Sequence, residues 1–354
     1  MISVPPYLRA YAATYASDPR RAALEWFRSA RYGLFLHYGL YSILGRHEWV
    51  QLDEKIRVAD YARIADEFAA ANFDAEAIAQ LAQDAGMRYV NLTTRHHDSF
   101  CLFRTAQTSF NSVDGAPARR DLVAELAVAC ARLGLGLCLY YSHGRDWKHP
   151  HAPNNGEWGG KARPEYDPPE PTYATGTTHN LDLYLDFMRE QIRELLTHYG
   201  PVAAIWLDGI AVPLSGEGAR FKAQELYDFA RSLQPQVLVS YKQGLTGTED
   251  FFAPEHHLPT AQDTKAKQGL IAAHPDKFVE ICTTMAPGTW GYKEDTTGAH
   301  LTAEQVWEKL RQARRRRANL LLNTGPLPDG SLDAEDAAVM RTVGARLREE
   351  GFPE

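Results

Sequence analysis

The feature that most constrains the fold of this chain is an alternation of short apolar segments with longer amphipathic ones. The apolar segments are bounded by glycine or polar residues, as buried strands are, and the segments between them have helical periodicity. Alternation of this kind predicts βαβ units and a parallel sheet. We predict seven strands, at residues 32–40, 89–94, 136–141, 202–209, 237–241, 278–284 and 319–323.

The segment 202–209, VAAIWLDG, shows how these strands end. Asp208 follows an apolar run, and a carboxylate there must face water or a site, because burying an unpaired charge is costly. The alternative is that Asp208 caps the next helix or forms a turn with Gly209. Almost every other predicted strand also ends in His, Asp, Trp or Lys. An open doubly wound sheet needs chemistry at one switch point only, whereas a barrel collects its site from many strand ends.

We therefore predict an α/β fold, a somewhat irregular (β/α)8-like TIM barrel that forms a single catalytic domain over residues 1–354. Residues 1–30 are expected to be an N-terminal approach segment. Residues 148–179 are rich in Pro, Gly and Asn and are expected to form a long loop. Loops of that length in compact domains are usually functional or mobile.

Composition and charge disfavour several classes of partner. The chain has 38 Lys and Arg against 45 Asp and Glu, a formal net charge of −7, which gives no support to nucleic acid or an anionic membrane surface. No apolar run approaches the ~20 residues of a membrane span, and the N-terminus lacks the pattern of a secretory signal. The four cysteines are scattered without a CxxC pair, as in a reducing compartment. We expect a cytoplasmic protein, and a homo-oligomer is one option that the sequence leaves open.

The polar and aromatic residues at the strand ends would meet at one rim of the barrel. Aromatic faces beside neutral imidazoles suit a sugar, whose C–H patches lie on aromatic rings and whose hydroxyls need fixed donors and acceptors. Two carboxylates from different strands would supply the chemistry of a glycosidase. The candidate residues are His37, Glu48, Trp49, His96, His97, Tyr141, His143, Trp206, Asp208, Lys242, Asp250, Glu255 and Trp290.

A metal-dependent barrel hydrolase is the competing interpretation. Zinc could be held by Asp208 and several of the histidines, His37, His96, His97 and His143. The adjacent pair His96 and His97 argues against this, since neighbouring side chains of a strand point to opposite faces. No HxH or HExxH pattern appears. We expect no metal and no other cofactor.

A series of motifs in consistent order extends over roughly residues 22–335. They are RYGLFLHYGLYS with a following EW, TTRHHDSFCLF, DLVAELAVACARLGLGLCLYYSHGRDW, WLDG, DFFAPE, WGY and NLLLNTGPLPDG. Together they resemble the α-L-fucosidases of glycoside hydrolase family 29. The resemblance implies a retaining exo-acting glycosidase on a (β/α) barrel without a metal, and a fucosylated oligosaccharide or glycoconjugate as its substrate.

The resemblance also implies roles for individual residues. Asp208 matches the nucleophile, which attacks the anomeric carbon of an α-L-fucosyl unit and forms a covalent glycosyl-enzyme intermediate. Glu255 matches the acid/base of some members, and Asp250 matches the aspartate that others use. Residues implied to bind the sugar are His37, Glu48, Trp49, His96, His97, Tyr141, Trp206, Lys242 and Trp290, the last near its methyl group.

Three features depart from the family pattern. Lys242 stands where many members have Arg, so bidentate hydrogen bonding becomes a point-charge contact. Ser99 replaces a usual Gly, and the chain ends soon after its last predicted helix, without the C-terminal β-sandwich of longer relatives. A catalytically lapsed fucose-binding barrel is the remaining alternative, and the intact WLDG and DFFAPE segments argue against it.

Overall fold

Eight parallel strands close into a barrel in the computed structural model, which describes residues 3–260, 262–263 and 268–354. The strands follow one another in chain order, and pairing of β1 with β8 completes the ring. They are β1 Tyr32–Leu36, β2 Tyr89–Arg95, β3 Gly136–Ser142, β4 Ala204–Asp208, β5 Leu238–Tyr241, β6 Phe251–Phe252, β7 Phe278–Thr284 and β8 Asn319–Thr324. The predicted (β/α)8 barrel is confirmed.

Seven helices of ten or more residues are found among the described residues, most of them packed outside the strands. They are α1 Pro19–Ala30, α2 Ala75–Asp84, α3 Leu122–Leu133, α4 Leu181–His198, α5 Ala223–Leu233, α6 Ala303–Arg315 and α7 Ala334–Glu350. Shorter helices span Ala12–Ser17, Leu40–Leu44, Val50–Asp53, Val58–Arg63, Asn155–Trp158 and Ala211–Ser215, and 3-10 turns span Pro6–Tyr11, Ile64–Glu67, Gly176–Thr178, Gly218–Phe221 and Glu294–Thr296. None of the helices in the described ranges combines the length and apolar character that crossing a bilayer requires.

Local sequence signals explain where these helices begin and end. The side chain of Asp121 accepts a hydrogen bond of 2.9 Å from the backbone N–H of Ala124 and so caps α3. Gly134 ends the same helix in the left-handed conformation, at φ 68°. Asn180 caps α4, and Thr302 with Gln305 forms a capping box at the start of α6.

The eighth strand, β6, lies in a segment that the sequence pattern indicated to be irregular. It consists of Phe251 and Phe252 alone. One residue pair joins it to β5 and two pairs join it to β7. A strand of two residues has no period that a sequence pattern can show, which is why only seven strands were predicted.

Successive side chains of each strand point alternately into the barrel and towards the helices, and so form an inner and an outer apolar layer. On β3, Cys138 and Tyr140 point into the barrel, whereas Leu139 and Tyr141 belong to the outer layer packed against the helices. On β4, Trp206 faces inwards and Leu207 outwards. The inward residues near the carboxyl ends of the strands are thereby placed to line a site.

Helix α1 closes the opposite end of the barrel. Its Trp26 ring lies 6.2 Å from the ring of Tyr89, and its Phe27 ring lies 4.3 Å from that of Phe251. A Cβ on Gly136 would lie only 2.4 Å from the Trp26 ring, so the glycine makes room for this plug. The segment expected to approach the barrel therefore fills its amino-terminal mouth.

Candidate active site

A pocket of about 430 Å³ opens where the strands end. Most of its lining comes from residues at or just after the carboxyl ends of β1, β2, β4 and β5 and from the loops that follow β6 and β7. The lining includes Phe35, His37, Glu48, Trp49, His96, His97, Tyr140, Arg145, Trp206, Asp208, Lys242, Glu255, His256 and Trp290. The fold thus brings together all but one of the residues implied to bind the sugar, with the preferred carboxylate pair.

Asp208, the last residue of β4, is an ionised carboxylate held by several partners. Its Oδ2 accepts a hydrogen bond of 2.7 Å from the Tyr140 hydroxyl, and its Oδ1 accepts one of 2.6 Å from the backbone N–H of Gly209. Burial opposes ionisation, but the charge of Lys242 and the hydrogen bond from Tyr140 outweigh it and lower the pKa of Asp208. A carboxylate that stays charged and faces a cavity is equipped to act as a nucleophile.

A single ammonium group connects Asp208 with the second carboxylate of the pocket. Lys242 Nζ lies 3.5 Å from Asp208 Oδ1 and donates a hydrogen bond to Glu255 Oε1. Burial disfavours the charged lysine, but Asp208 and Glu255 reverse the effect and raise the pKa of Lys242. Lys242 Nζ also lies 4.9 Å above the Trp206 ring. Asp208 and Glu255 therefore face the same part of the pocket, from the end of β4 and from the segment after β6.

Asp250, the alternative acid/base, lies outside the pocket. Its carboxylate pairs with Arg20 at 2.7 Å and with Arg231 at 3.1 Å, and it accepts a hydrogen bond from the backbone N–H of Val239. It precedes β6, whereas Glu255 follows it, so the strand separates the two carboxylates. Asp250 therefore does not line this pocket.

Tyr141 was expected to bind the sugar, but the structure places its neighbour Tyr140, and not Tyr141, in the pocket. The Tyr141 hydroxyl donates a hydrogen bond of 2.6 Å to Gln191 of α4, on the helix side of β3. Tyr140 points inwards, lines the pocket and contacts Asp208. His143, left without a defined role, is buried beside Tyr241, with 3.1 Å between its Nδ1 and the hydroxyl, and does not line the pocket.

Two histidines present hydrogen-bond acceptors to the cavity. The amide nitrogen of Asn323 donates to Thr284 Oγ1 and to the carbonyl of Trp290, so its oxygen accepts from His37 Nδ1 at 2.7 Å. The Ser142 hydroxyl donates to the Arg145 carbonyl and accepts from His97 Nδ1 at 2.6 Å. Burial lowers the pKa of His37 to about 4 and also lowers the pKa of His97. Both rings are therefore neutral with Nε2 unprotonated, ready to accept a hydroxyl proton.

His96, His97 and Asp208 form the cluster that a metal ion would need. Their donor atoms lie within 4.8 Å of one another. The expectation that the two imidazoles would point apart is wrong, because both follow the end of β2 and their ring centroids lie 4.2 Å apart. The Lys242 ammonium, 3.5 Å from Asp208, already compensates the charge that would attract a cation. The donor set alone fits a metal, but the neighbouring ammonium opposes one.

Glu48 and the loop after β7 build another wall of the pocket. Glu48 Oε2 accepts hydrogen bonds from the backbone N–H groups of Trp290 and Gly291, at 3.0 and 2.9 Å, and from Thr289 Oγ1 at 3.1 Å. Burial raises the pKa of Glu48, and the backbone hydrogen bonds oppose that rise. This anchoring holds the Trp290 ring 5.3 Å from the His37 ring.

His256 and Arg145 are among the pocket residues that the sequence analysis missed. His256 stacks on Trp290 with ring centroids 5.3 Å apart, and Arg145 lies with its Cζ 5.0 Å from the centre of the Trp49 ring. Both lie in loops, next to residues that the sequence analysis did propose as site residues. In a loop, no periodicity indicates which way a side chain points. A charged residue in the SHGRDW motif was the available signal for Arg145.

A sequence profile of the α-L-fucosidase family matches residues 5–351. The chain belongs to the α-L-fucosidase family of glycoside hydrolases. Its backbone is similar to that of α-L-fucosidase isoenzyme 1 from Paenibacillus thiaminolyticus, at 33% identity and a TM-score of 0.79, over 94% of this chain and 77% of that one. The α-L-fucosidase AlfC from Lactobacillus casei, in complex with its α-L-fucose product, is 28% identical with a TM-score of 0.77, over 92% of this chain and 98% of that one.

Curated α-L-fucosidases are longer than this chain. The plasma enzyme of Rattus norvegicus is 27% identical over 96% of this chain and 72% of its own length. A Caenorhabditis elegans relative is 27% identical over 92% of this chain and 65% of its own length. The chain therefore spans about two thirds of the length of that relative, and the shared part is the barrel of the fucosidase family.

Proposed function

We propose that this barrel is a retaining, exo-acting α-L-fucosidase that releases terminal α-L-fucosyl units from oligosaccharides or glycoconjugates. One observation carries the proposal: Asp208 at the end of β4 and Glu255 in the segment after β6 meet at the single ammonium of Lys242 inside the pocket. Retaining glycosidases need two carboxyl groups only ~5–5.5 Å apart, and two groups that share one ammonium are close neighbours.

The proposed reaction has two displacements. Asp208 attacks the anomeric carbon while Glu255 donates a proton to the departing oxygen, which gives a β-fucosyl ester of Asp208 and the free aglycone. Glu255 then takes a proton from water, whose oxygen attacks the same carbon and releases α-fucose. The side chain of Asp208 is 14% exposed and that of Glu255 41%, an arrangement that suits an inner nucleophile and an outer proton donor reached by water.

The substrate-binding role of the remaining lining residues is part of the same proposal. The unprotonated Nε2 atoms of His37 and His97 accept from sugar hydroxyls, and Glu48 accepts another. Trp49, His96, Trp206 and Lys242 complete the pocket around the ring, and the aromatic faces of Trp290 and Phe35 cover the apolar edge of a 6-deoxy sugar. A sugar methyl group needs such a surface, because it offers no hydrogen bond.

The stereochemistry of the product tests the mechanism. In proton NMR of p-nitrophenyl α-L-fucoside hydrolysis, the first fucose to appear should be the α anomer; first-formed β-fucose would mean inversion.

Asp208→Ala should lose at least ~10³-fold in kcat. With azide this variant should yield the β-fucosyl azide, because azide replaces the carboxylate as the attacking group.

Glu255→Ala tests the other half of the pair. Azide should rescue this variant and yield the α-fucosyl azide, because azide then attacks the β-fucosyl ester from the face that water uses. Asp250→Asn is the matched control: it removes a carboxylate close in sequence but outside the pocket, and it should keep the pH profile of the wild type. Rescue of Asp250→Asn by azide, with none for Glu255→Ala, would contradict the assignment.

The cluster of His96, His97 and Asp208 supports metal-dependent hydrolysis as a second candidate. Activity that survives EDTA, in protein whose metal content is measured, argues for the carboxylate mechanism, and loss with EDTA that zinc restores would favour the metal.

A lapsed fucose-binding barrel predicts that wild type and Asp208→Ala bind fucose and release no nitrophenol. A variant of AlfC has been solved in complex with Fuca(1,6)GlcNAc, so that disaccharide is the first natural linkage to test here.

A cytoplasmic location and the absence of nucleic-acid or membrane partners are also part of the proposal. All four cysteines are buried and unpaired, which supports a reducing compartment. The net charge of −7 supports neither a polyanionic partner nor an anionic bilayer. Assembly into a homo-oligomer is left to measurement of the mass in solution.

A further inference from the structure

Arg145, in the turn after β3, is a buried cation that forms no ion pair with any carboxylate in the part of the chain that the structure describes. Arg145 is 6% exposed and lines the pocket. Its Nε donates to the carbonyl of Lys161 at 3.0 Å, and its Nη2 donates to the carbonyl of Gly160 at 2.7 Å. Among the described residues it forms no ion pair, and Nη1 has no protein partner. The loop 148–179 thus fixes two of the three nitrogens, and the third, Nη1, remains available to donate to a ligand in the pocket.

Contacts place this guanidinium on the wall that leads to the nucleophile. Arg145 Cζ lies 5.0 Å from the centre of the Trp49 ring, and the Trp49 ring lies 5.2 Å from the ring of His97. His97 Nε2 in turn lies 3.8 Å from Asp208 Oδ2. The burial of Arg145 disfavours its charge, and the charge of Asp208 is the largest of the effects that support it. Arg145 is therefore within electrostatic reach of the group proposed to attack the substrate.

The pocket offers more hydrogen-bond acceptors than donors, and Arg145 adds a charged donor to that of Lys242. His37 and His97 offer acceptors, and so do the carboxylates of Glu48 and Asp208. A sugar hydroxyl that donates its one proton to such an acceptor still has two lone pairs to satisfy. Guanidinium groups only donate, and a hydrogen bond from a charged donor in a water-poor site is among the stronger ones.

We propose that Arg145 is a substrate-binding residue that determines specificity, with Nη1 donating to the oxygen of the sugar hydroxyl next to the anomeric carbon, the same hydroxyl that donates to His97 Nε2. This rests on the proposed function, because it takes Asp208 to face the anomeric carbon. A hydroxyl on the adjacent ring carbon is the one that reaches His97 from that position. Hydrogen bonds to this hydroxyl strengthen in the transition state of glycosidases, so the contact should appear mainly in kcat.

The test compares two substrates that differ only in this hydroxyl, p-nitrophenyl α-L-fucoside and its 2-deoxy analogue. Arg145→Met should lower kcat/KM for the fucoside about 10- to 100-fold, as expected for a lost hydrogen bond from a charged group, and should change it less than 3-fold for the 2-deoxy substrate. The loss should lie mainly in kcat. An equal loss on both substrates would overturn the proposal and show that Arg145 supports the loop instead.

Three further measurements keep the test decisive. Arg163→Met removes a buried arginine of the loop 148–179, which holds Arg145. Arg163 stacks on Tyr173 and lies outside the pocket, so any effect of this variant should be equal on both substrates. If Arg145→Met is too unstable to assay, Arg145→Lys keeps the charge, and the same preferential loss on the fucoside is expected because the planar geometry of the guanidinium is gone. If the wild type releases no nitrophenol, the proposed function fails, and calorimetry still tests the contact: Arg145→Met should weaken binding of fucose and leave that of 2-deoxyfucose unchanged.

Discussion

Tyr140 and Tyr141 are adjacent residues with opposite surroundings, and they form a matched pair for mutagenesis. Tyr140 donates to Asp208 at 2.7 Å, whereas Tyr141 donates to Gln191 of α4 at 2.6 Å. Tyr140→Phe removes a hydrogen bond to a charged carboxylate, worth ~1.5–3 kcal/mol, so we expect kcat to fall about 10- to 100-fold. Tyr141→Phe should cost stability and leave kcat within 2-fold of wild type. Initial rates and thermal melting of both variants check this, and a larger kcat loss in Tyr141→Phe would contradict the assignment.

Glu280 gives a second residue-scale prediction, one about pH. This buried carboxylate accepts hydrogen bonds from Trp206 Nε1, at 2.9 Å, and from the Tyr89 hydroxyl, and burial raises its pKa from 4.5 to about 7. Between those values the folded protein holds a proton that the unfolded chain has lost, so stability falls as pH rises through this window. The full effect is on the order of 3 kcal/mol.

Replacing Glu280 by Gln should remove this contribution, since the amide does not titrate. We expect the melting temperature of Glu280→Gln to rise relative to wild type as the pH goes from 5 to 8. Asp98, whose pKa burial also raises to about 7, is present in both proteins, so its effect cancels in the difference. Melting curves of the two proteins that stay parallel across this range would show that Glu280 does not titrate there.

At the scale of elements, the end of β4 packs in direct backbone contact with the turn after β3. The Asp208 carbonyl accepts hydrogen bonds from the backbone N–H groups of His143 and Gly144, at 3.0 and 2.9 Å. Gly209 has a φ of 84°, and a Cβ there would lie 2.9 Å from the backbone of Gly144. The backbone of Asp208 is therefore fixed by two glycines in close contact.

Gly209→Ala should break this arrangement, and Gly200→Ala is its control. Gly200, at the other end of the strand, has a φ of 72°, but a Cβ there meets nothing within 4 Å. Left-handed strain alone costs ~1–3 kcal/mol, which both variants should show as lower stability in urea unfolding. Only Gly209→Ala should also lose most of its kcat, because the clash displaces Asp208. Retained activity in Gly209→Ala would mean that the turn can shift without moving the carboxylate.

At the scale of the whole molecule, the sequence predicted the barrel because seven strands and their helices have strong periodicity. It could not decide between Tyr140 and Tyr141, since both fit an apolar strand and the choice depends on its register. Arg145 and His256 lie in loops, where side-chain direction depends on tertiary packing. Asp250 lies outside the pocket because it precedes β6, whereas Glu255 follows it. A strand of two residues has no sequence pattern that would locate it, so the sequence could not separate these two carboxylates.

The brevity of β6 has a consequence for how the molecule moves. Six residue pairs join β2 to β3, but one joins β5 to β6 and two join β6 to β7. Regions with few backbone bonds open more often, so amide hydrogen exchange in residues 251–256 should be faster than in 204–208. Equal protection in the two segments would contradict this.

We therefore expect the segment that carries Glu255 to open locally more often than β4, whose last residue is Asp208. On warming, the enzyme should lose proton donation before it loses nucleophilic attack. Hydrolysis of a disaccharide, whose leaving group must be protonated, should then decline at a lower temperature than hydrolysis of the nitrophenyl fucoside.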